Sequence, residues 1–231
     1  LAMKARVEGI RALVMKLSNH GDRLAATQGR DDESEAYHKG QVDLLTPLVK
    51  ATGTDAAFEV SSRAIQVYGG HGYLKDHPVE QYCRDAKIFQ IYEGTNFIQS
   101  MDLVSRKLGQ AGGANTQAFL TDIQNFITAH KETPELEEGI GHLQAAHEAV
   151  AASVMKLIAW FKGGKLEHIP LAAEDFLSIM SDLAVGWLLL DQAAIALKQL
   201  PETSKTHPDH AFYTGKKFAA QYFANNVLST L

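Results

Sequence analysis

Residues 64–99 read A-I-Q-V-Y-G-G-H-G-Y-L-K-D-H-P-V-E-Q-Y-C-R-D-A-K-I-F-Q-I-Y-E-G-T-N-F-I-Q. Gly69, Gly70 and Gly72 place three glycines within four residues. Glycine gives up the most conformational freedom in a helix, so no helix is expected to survive there and the spacing predicts a tight turn with free backbone amides. Pro78 follows and predicts a helix over 79–89. That helix is expected to stop near Glu93-Gly94-Thr95. Another is expected over 96–108, with Ile98, Met101, Ser105 and Leu108 on one face.

Outward from this stretch the pattern is helical. Met3, Val7, Ile10, Val14 and Leu17 recur at helical steps of four and three, and His20 to Ser34, rich in Gly, Asp and Arg, reads as a helix end and loop. A second helix is expected over 37–67, lined on one side by Leu45, Val49, Thr52, Ala56, Val60, Ala64 and Val67. Pro47 either kinks it or marks its start. Downstream, Gly109 to Ala114 is a flexible break. Leu136, Ile140, Leu143, His147, Val150, Val154, Leu157 and Phe161 then alternate steps of four and three up to Gly163-Gly164. Two more helices are expected, over 171–200 and 211–227. No alternating, strand-like segment appears. Long helices with short breaks predict an all-α chain: an antiparallel, up-and-down four-helix bundle over 1–110, followed by a second helical subdomain over 111–231.

The 231 residues are long enough to bury a core, and 45% are hydrophobic. Net charge is −5, unevenly spread: residues 1–110 hold 14 Lys+Arg and 14 Asp+Glu, whereas residues 111–231 hold 8 and 13 and no Arg. That balance argues against a protein that neutralises nucleic-acid phosphates. One cysteine excludes a disulfide scaffold and fits a reducing compartment, so a cytoplasmic location is expected. The longest apolar run, Leu183 to Leu190, is far shorter than the ~20 residues of a membrane span, and no transmembrane segment is expected. The chain opens on Leu1 inside an already helical pattern, which reads as a cut through a longer polypeptide.

Two features between Gln66 and Thr95 could carry chemistry. The glycine turn could cradle an anion with its amides, or merely join two helices. In Ile91-Tyr92-Glu93-Gly94-Thr95 a carboxylate sits among apolar and aromatic neighbours just before a helix start. Burial would raise its pKa and make it a base, and the adjacent helix N-terminus would offer N–H groups to an oxygen gaining charge. The alternative is plain capping, with Thr95 as N-cap and Glu93 facing solvent. Glu80 and Arg84 make an ordinary i,i+4 pair. His142 and His147 lie off a common face, His207 and His210 flank Asp209 in a polar loop, and Cys83 reads as a structural thiol, so no metal site is expected.

The combination Q-x-x-G-G-x-G-Y, Pro-x-Glu, Arg-Asp and I-Y-E-G-T at these spacings closely resembles the C-terminal domain of acyl-CoA dehydrogenases. The preceding K-A-R-V-E-G-I-R-A-L-V and L-L-T-P-L-V-K-A look like the long bacterial branch, which carries an extra C-terminal helical domain. The resemblance is strong over 1–108 and general over 114–231. It implies an FAD-dependent α,β-dehydrogenation of an acyl-CoA thioester to the 2-enoyl-CoA. It places the family's base on Glu93, removing the α-proton while the β-hydride leaves to the flavin. It places the thioester carbonyl on the Glu93 amide, with Gly94 giving room. It implies FAD contacts from Gln66, Val67, Tyr68, Gly69 and Gly70 to the cofactor of a neighbouring subunit, and from Thr95 and Asn96 to that of their own chain. Phe97 stands where a Gln is common, and Arg84-Asp85 would brace the loop. The family's N-terminal helical domain, its β-domain and its R-x-Q-F-G segment are not in these residues, so the isolated chain is expected to bind no FAD and to be inactive. A homodimer or homotetramer and an electron-transfer flavoprotein acceptor are implied, without nucleic acid. An acyl-CoA oxidase of the same fold, and a non-catalytic oligomerisation or partner-binding module, are the competing readings.

Overall fold

In the computed structural model, which describes residues 1–231, the chain is built from nine α-helices with short 3₁₀ turns and no strand. They are α1 (Ala2–Thr27), α2 (Asp32–Tyr68), α3 (Gly70–Tyr73), α4 (Val79–Ile88), α5 (Asn96–Asp102), α6 (Ala114–His130), α7 (Glu137–Lys162), α8 (His168–Gln199) and α9 (Pro208–Asn226). The all-α expectation holds. Long helices that follow one another across short connections pack as antiparallel neighbours, as in α1–α2, α7–α8 and α8–α9.

The most apolar helix, α8, lies at the centre. It packs against α1, α2, α5, α6, α7 and α9, and residues Leu183 to Leu190 are buried on every side. By length and composition α8 could cross a membrane, but 72% of its apolar window is buried inside this protein, so helix packing accounts for its apolarity. Leu13, Leu48, Leu143, Leu183 and Phe223, drawn from five helices, belong to one continuous core. At the crossing of α1 and α8 a Cβ on Gly9 would stand 2.4 Å from Val185 Cγ1, so the side-chain-free position lets the two helices meet.

Several sequence expectations need correction. His20 to Ser34 is mostly helix: Leu24, Ala25 and Ala26 carry α1 to Thr27, and the connection is only Gln28–Asp31. There Asp31 accepts from the Ser34 amide at 3.0 Å and starts α2 five residues before the expected Tyr37. Pro47 lies buried inside that helix rather than at its start. The buried face of α1 is Ala5, Gly9, Leu13 and His20, while Val7 and Val14 are exposed. The region 114–130, rich in polar residues and without a marked apolar period, forms α6. After α5 a single π-helical turn, Leu103–Lys107, rotates the helix face. Ser100, Leu103, Lys107 and Leu108 point inward, and Ile98 and Ser105 face solvent. The Lys107 ammonium is neutralised there by Asp43 Oδ1 at 2.7 Å. In α7 the apolar face is buried from Ile140 to Leu157, whereas Phe161, expected on the same face, is 67% exposed, and His147 uses Nε2 to donate to the Leu120 carbonyl at 3.0 Å.

Where α1, α2 and α6 meet, His20 and His38 are buried with their Nδ1 atoms 2.9 Å apart, and His20 Nε2 has no partner. The Tyr37 hydroxyl donates to Asp122 at 2.7 Å beside them, and its ring packs edge-on against both imidazoles. Burial, with Lys16, His38 and Arg23 adding to it against Asp122, lowers His20 from 6.5 to about 4. His38 is also lowered, by burial first and then by Arg23 and Lys16. A histidine whose folded pKa lies below its unfolded one binds fewer protons when folded, so stability falls as pH drops from ~6.5 towards ~4. The His20 shift corresponds to about 3 kcal/mol. Urea unfolding at pH 7 and pH 4.5 should show this loss, and His20→Leu should flatten the dependence. An unchanged midpoint between the two pH values would contradict it.

Candidate functional site

The loop between α4 and α5 is built around two residues in the left-handed region. Glu93 has φ 54° and Gly94 has φ 82°. For a side chain this conformation costs about 1 kcal/mol, and it concentrates where function demands a particular geometry. The Asn96 amide donates across the loop to the Gln90 carbonyl at 3.1 Å and closes it. Thr95 caps α5, its Oγ1 accepting from the Ile98 amide at 3.2 Å. The amides of Glu93, Gly94 and Thr95 donate to nothing in the protein. Three consecutive free N–H groups beside a helix N-terminus form a place where an oxygen bearing partial negative charge is stabilised.

The carboxylate itself is exposed, as are Ile91 (55%) and Tyr92 (46%). The expected apolar burial of Glu93 therefore does not exist within these residues, and any desolvation must come from a bound ligand or another surface.

The second expected element, Gln66 to Gly70, ends α2 on the same exposed side. Val67 is 73% exposed, and Gln66, Tyr68, Gly69 and Gly70 are exposed too. Only Gly69 breaks the helix (φ 63°, ψ −144°), a conformation reserved for glycine. Gly70 to Tyr73 then form one helical turn, α3, contrary to the expectation that no helix persists there. A Cβ on Gly69 would meet nothing within 4 Å, so its requirement is conformational alone. Gly69→Ala should therefore destabilise the turn by about 1–3 kcal/mol without a clash. A melting temperature equal to wild type would show that the turn tolerates a side chain.

Of the remaining candidates, Arg84 pairs with Glu80 at 2.7 Å on the surface, and Asp85 is exposed with no partner, so neither braces the Glu93 loop. His207 is the N-cap of α9, accepting from the Asp209 amide at 3.2 Å. Cys83 is a half-buried free thiol.

The brace is elsewhere, on α2. Asp55 Oδ1 accepts from Gln90 Nε2 at 2.6 Å and from Asn96 Nδ2 at 2.7 Å. Asn96 Oδ1 accepts from Lys50 Nζ at 2.9 Å and Thr54 Oγ1 at 3.1 Å, and Asn96 Nδ2 also donates to the Ala51 carbonyl at 3.3 Å. Both hydrogens of the Asn96 amide are thus used within the chain, and its oxygen takes the Lys50 ammonium and shares the single Thr54 hydroxyl proton with the Ala51 carbonyl, which lies 2.9 Å from Thr54 Oγ1. The only sequence signal for this network is the recurrence of Lys50, Thr54 and Asp55 about one helical turn apart. Behind it, a cleft of about 460 Å³ is lined by Asp55, Glu59, Glu174, Asp175 and Asp182, with one cation, Arg6, already held by Asp182 at 2.6 Å. Such a cleft repels anionic ligands.

Two family models match the chain. "Acyl-CoA dehydrogenase, C-terminal domain" covers residues 1–108 and "Acetyl-CoA dehydrogenase C-terminal like" covers 119–231. Among curated relatives, the chain is 32% identical to the broad-specificity linear acyl-CoA dehydrogenase FadE5 of Mycobacterium tuberculosis, over 100% of this chain and 38% of that protein. It is 31% identical to a butyryl-CoA dehydrogenase of Syntrophomonas wolfei, over 99% of this chain and 37% of that protein. The chain thus spans under two-fifths of these relatives' length. Among solved structures, Caenorhabditis elegans ACDH-11 in complex with C11-CoA superposes with a TM-score of 0.74 at 19% identity, covering 99% of this chain and 35% of that one. An acyl-CoA dehydrogenase complexed with FAD from Bacillus anthracis superposes with a TM-score of 0.72 at 17% identity, covering 98% and 38%. These two share the fold.

Proposed function

We propose, from the premise that this chain belongs to the acyl-CoA dehydrogenase family, that it is the C-terminal part of a longer FAD-dependent enzyme that α,β-dehydrogenates an acyl-CoA thioester, with Glu93 as its base. The observation that carries this reading is the loop itself: a carboxylate on a left-handed residue next to three unpaired amides. The amide of Glu93 would hold the thioester carbonyl oxygen. Hydrogen bonding there spreads the charge of the forming enolate and acidifies the α-carbon, and the Glu93 carboxylate takes the proton. Gly94 adds no side chain where the substrate must approach. When bound, the flavin would supply the acceptor for the β-hydride.

The chain's residues fit such a cofactor at the turn. Gly69 and Gly70 leave nothing within 4 Å of a would-be Cβ, so an anionic group can reach the main chain. Gln66, Val67 and Tyr68 flank that approach, and the Thr95 hydroxyl keeps its proton free to donate. Asn96 serves the loop first, because both its amide hydrogens are held by Asp55 and the Ala51 carbonyl. Gln66 to Gly70 lie on open surface and Thr95 and Asn96 are only half-buried, which supports a flavin held jointly with other parts of the enzyme and a second subunit, and no flavin on these 231 residues alone. The exposed Val67, Tyr68, Tyr73 and Tyr82 suit burial in a homodimer or homotetramer. Electrons would leave to an electron-transfer flavoprotein.

The test is anaerobic mixing of the purified full-length enzyme with acyl-CoAs. Flavin absorbance should be present and should bleach on mixing. Absent flavin, or flavin unaffected by every acyl-CoA from butyryl to palmitoyl, would overturn the reading. Peroxide release in air would reassign the enzyme as an oxidase.

A further inference from the structure

We infer that Asp55 is the positioning residue for Glu93, holding both flanks of its loop against α2 through one carboxylate oxygen. This rests on Glu93 being the base. Residues 91–95 are a poorly anchored segment. Their apolar side chains Ile91 and Tyr92 are exposed, and their central amides are unpaired. Their side-chain anchorage to the rest of the protein therefore lies at the flanking residues, Gln90 and Asn96. The main chain links these two directly, and the side chains of both end on the same Asp55 Oδ1, at 2.6 and 2.7 Å. A residue 35 and 41 positions away in sequence thus sets where the loop begins and ends relative to the bundle.

The donors are themselves oriented. Lys87 Nζ donates to Gln90 Oε1 at 2.5 Å, which turns the Gln90 amide so that Nε2 faces Asp55. Lys50, Thr54 and the Ala51 carbonyl hold Asn96 independently. Removing Asp55 therefore removes the bond from the Gln90 side chain to α2 and leaves the Asn96 side chain with its other bonds to that helix. Asp55 is exposed and outside the core, so its loss costs little packing. The consequence falls on the placement of Glu93, whose left-handed conformation persists only while its surroundings enforce it.

Glu93 must meet a carbon-bound proton, and a shift of about 1 Å in such a group costs up to about 100-fold in rate. In the flavin-loaded full-length enzyme, Asp55→Ala should slow flavin reduction about 10- to 100-fold while KM for acyl-CoA stays within about threefold. The α-deuterium isotope effect on flavin reduction should rise, because proton removal becomes more rate-limiting. Asp55→Asn keeps an oxygen at the same position to accept both bonds and should recover most of the rate. Hydrogen exchange followed by mass spectrometry, which does not depend on turnover, should speed up over residues 89–96 in Asp55→Ala and not in Asp55→Asn. Glu93→Gln serves as the reference. If it abolishes reduction while Asp55→Ala matches wild type in rate, isotope effect and exchange, the positioning role fails and the base stands. If Asp55→Asn is as impaired as Asp55→Ala, the shared-acceptor role is overturned. If Glu93→Gln reduces flavin normally, the base assignment fails and this inference fails with it, even where exchange reports a loosened loop.

Discussion

Glu93→Gln in the full-length enzyme should leave acyl-CoA binding intact and slow flavin reduction about 10²- to 10⁴-fold, the usual contribution of a general base. The substitution is nearly isosteric, and a neutral amide cannot take the α-proton. The unpaired amides of Glu93, Gly94 and Thr95 are main-chain groups and survive the change, so the thioester oxygen keeps its donors. Gln meets the same strain as Glu at φ 54°, and the position is exposed, so stability should move by less than about 0.5 kcal/mol. Loss of rate without loss of binding or stability separates a base from a structural residue. Stopped-flow absorbance gives the reduction rate, and perturbation of the flavin spectrum by a non-reacting thioester gives the affinity. A reduction rate within threefold of wild type would remove Glu93 from the chemistry.

The same loop shows which part of the site can be seen in a sequence. Gly94, Thr95 and Glu93 are adjacent, so their local geometry (a left-handed pair followed by a capped helix) is encoded in five residues. The Gly69 turn is legible for the same reason, although only Gly69 breaks the helix and its neighbours Gly70 and Gly72 do not. Asp55, Gln90 and Asn96 are not legible, because their bonds cross 35 and 41 positions and no local pattern marks a shared acceptor. The His20–His38 contact fails in another way: both lay in or beside a stretch read as a loop, which hid their burial. Helix faces follow the same divide. In α7 the apolar stripe packs against its neighbours and is buried as its periodicity predicts up to Leu157, and only its end, Phe161, is exposed. In α1, Val14 is exposed and Val7 lines an open groove with Val60 and Ala64 of α2, while Gly9 is buried because α8 approaches too closely for anything larger. The break near Gly109 marks the change in charge and falls between the two family segments, but burial does not stop there, since Leu48 and Leu143 belong to one core.

That shared core makes Leu183→Ala a costly packing change, at about 3–5 kcal/mol. Leu183 is fully buried at the middle of α8. A cavity costs least where one neighbour can slide inward, and here the surrounding helices are held by one another: Arg6 of α1 is tied to Asp182 at 2.6 Å, and Gly9 packs directly on Val185. The deleted methyl groups should therefore leave space that stays open. Because α8 belongs to the later family segment and α1 to the earlier one, the loss should not be confined to either. Trp160 reports on residues beyond 118, Trp187, with Lys16 of α1 4.8 Å above its ring, also reports on the contact between α1 and α8, and far-UV circular dichroism reports on every helix. In urea the two signals should move together to the same lower midpoint, as one cooperative unit requires. If tryptophan fluorescence shifted while a dichroism transition from α1 and α2 kept its wild-type midpoint, the two segments would be independently stable and the continuous core would not couple them.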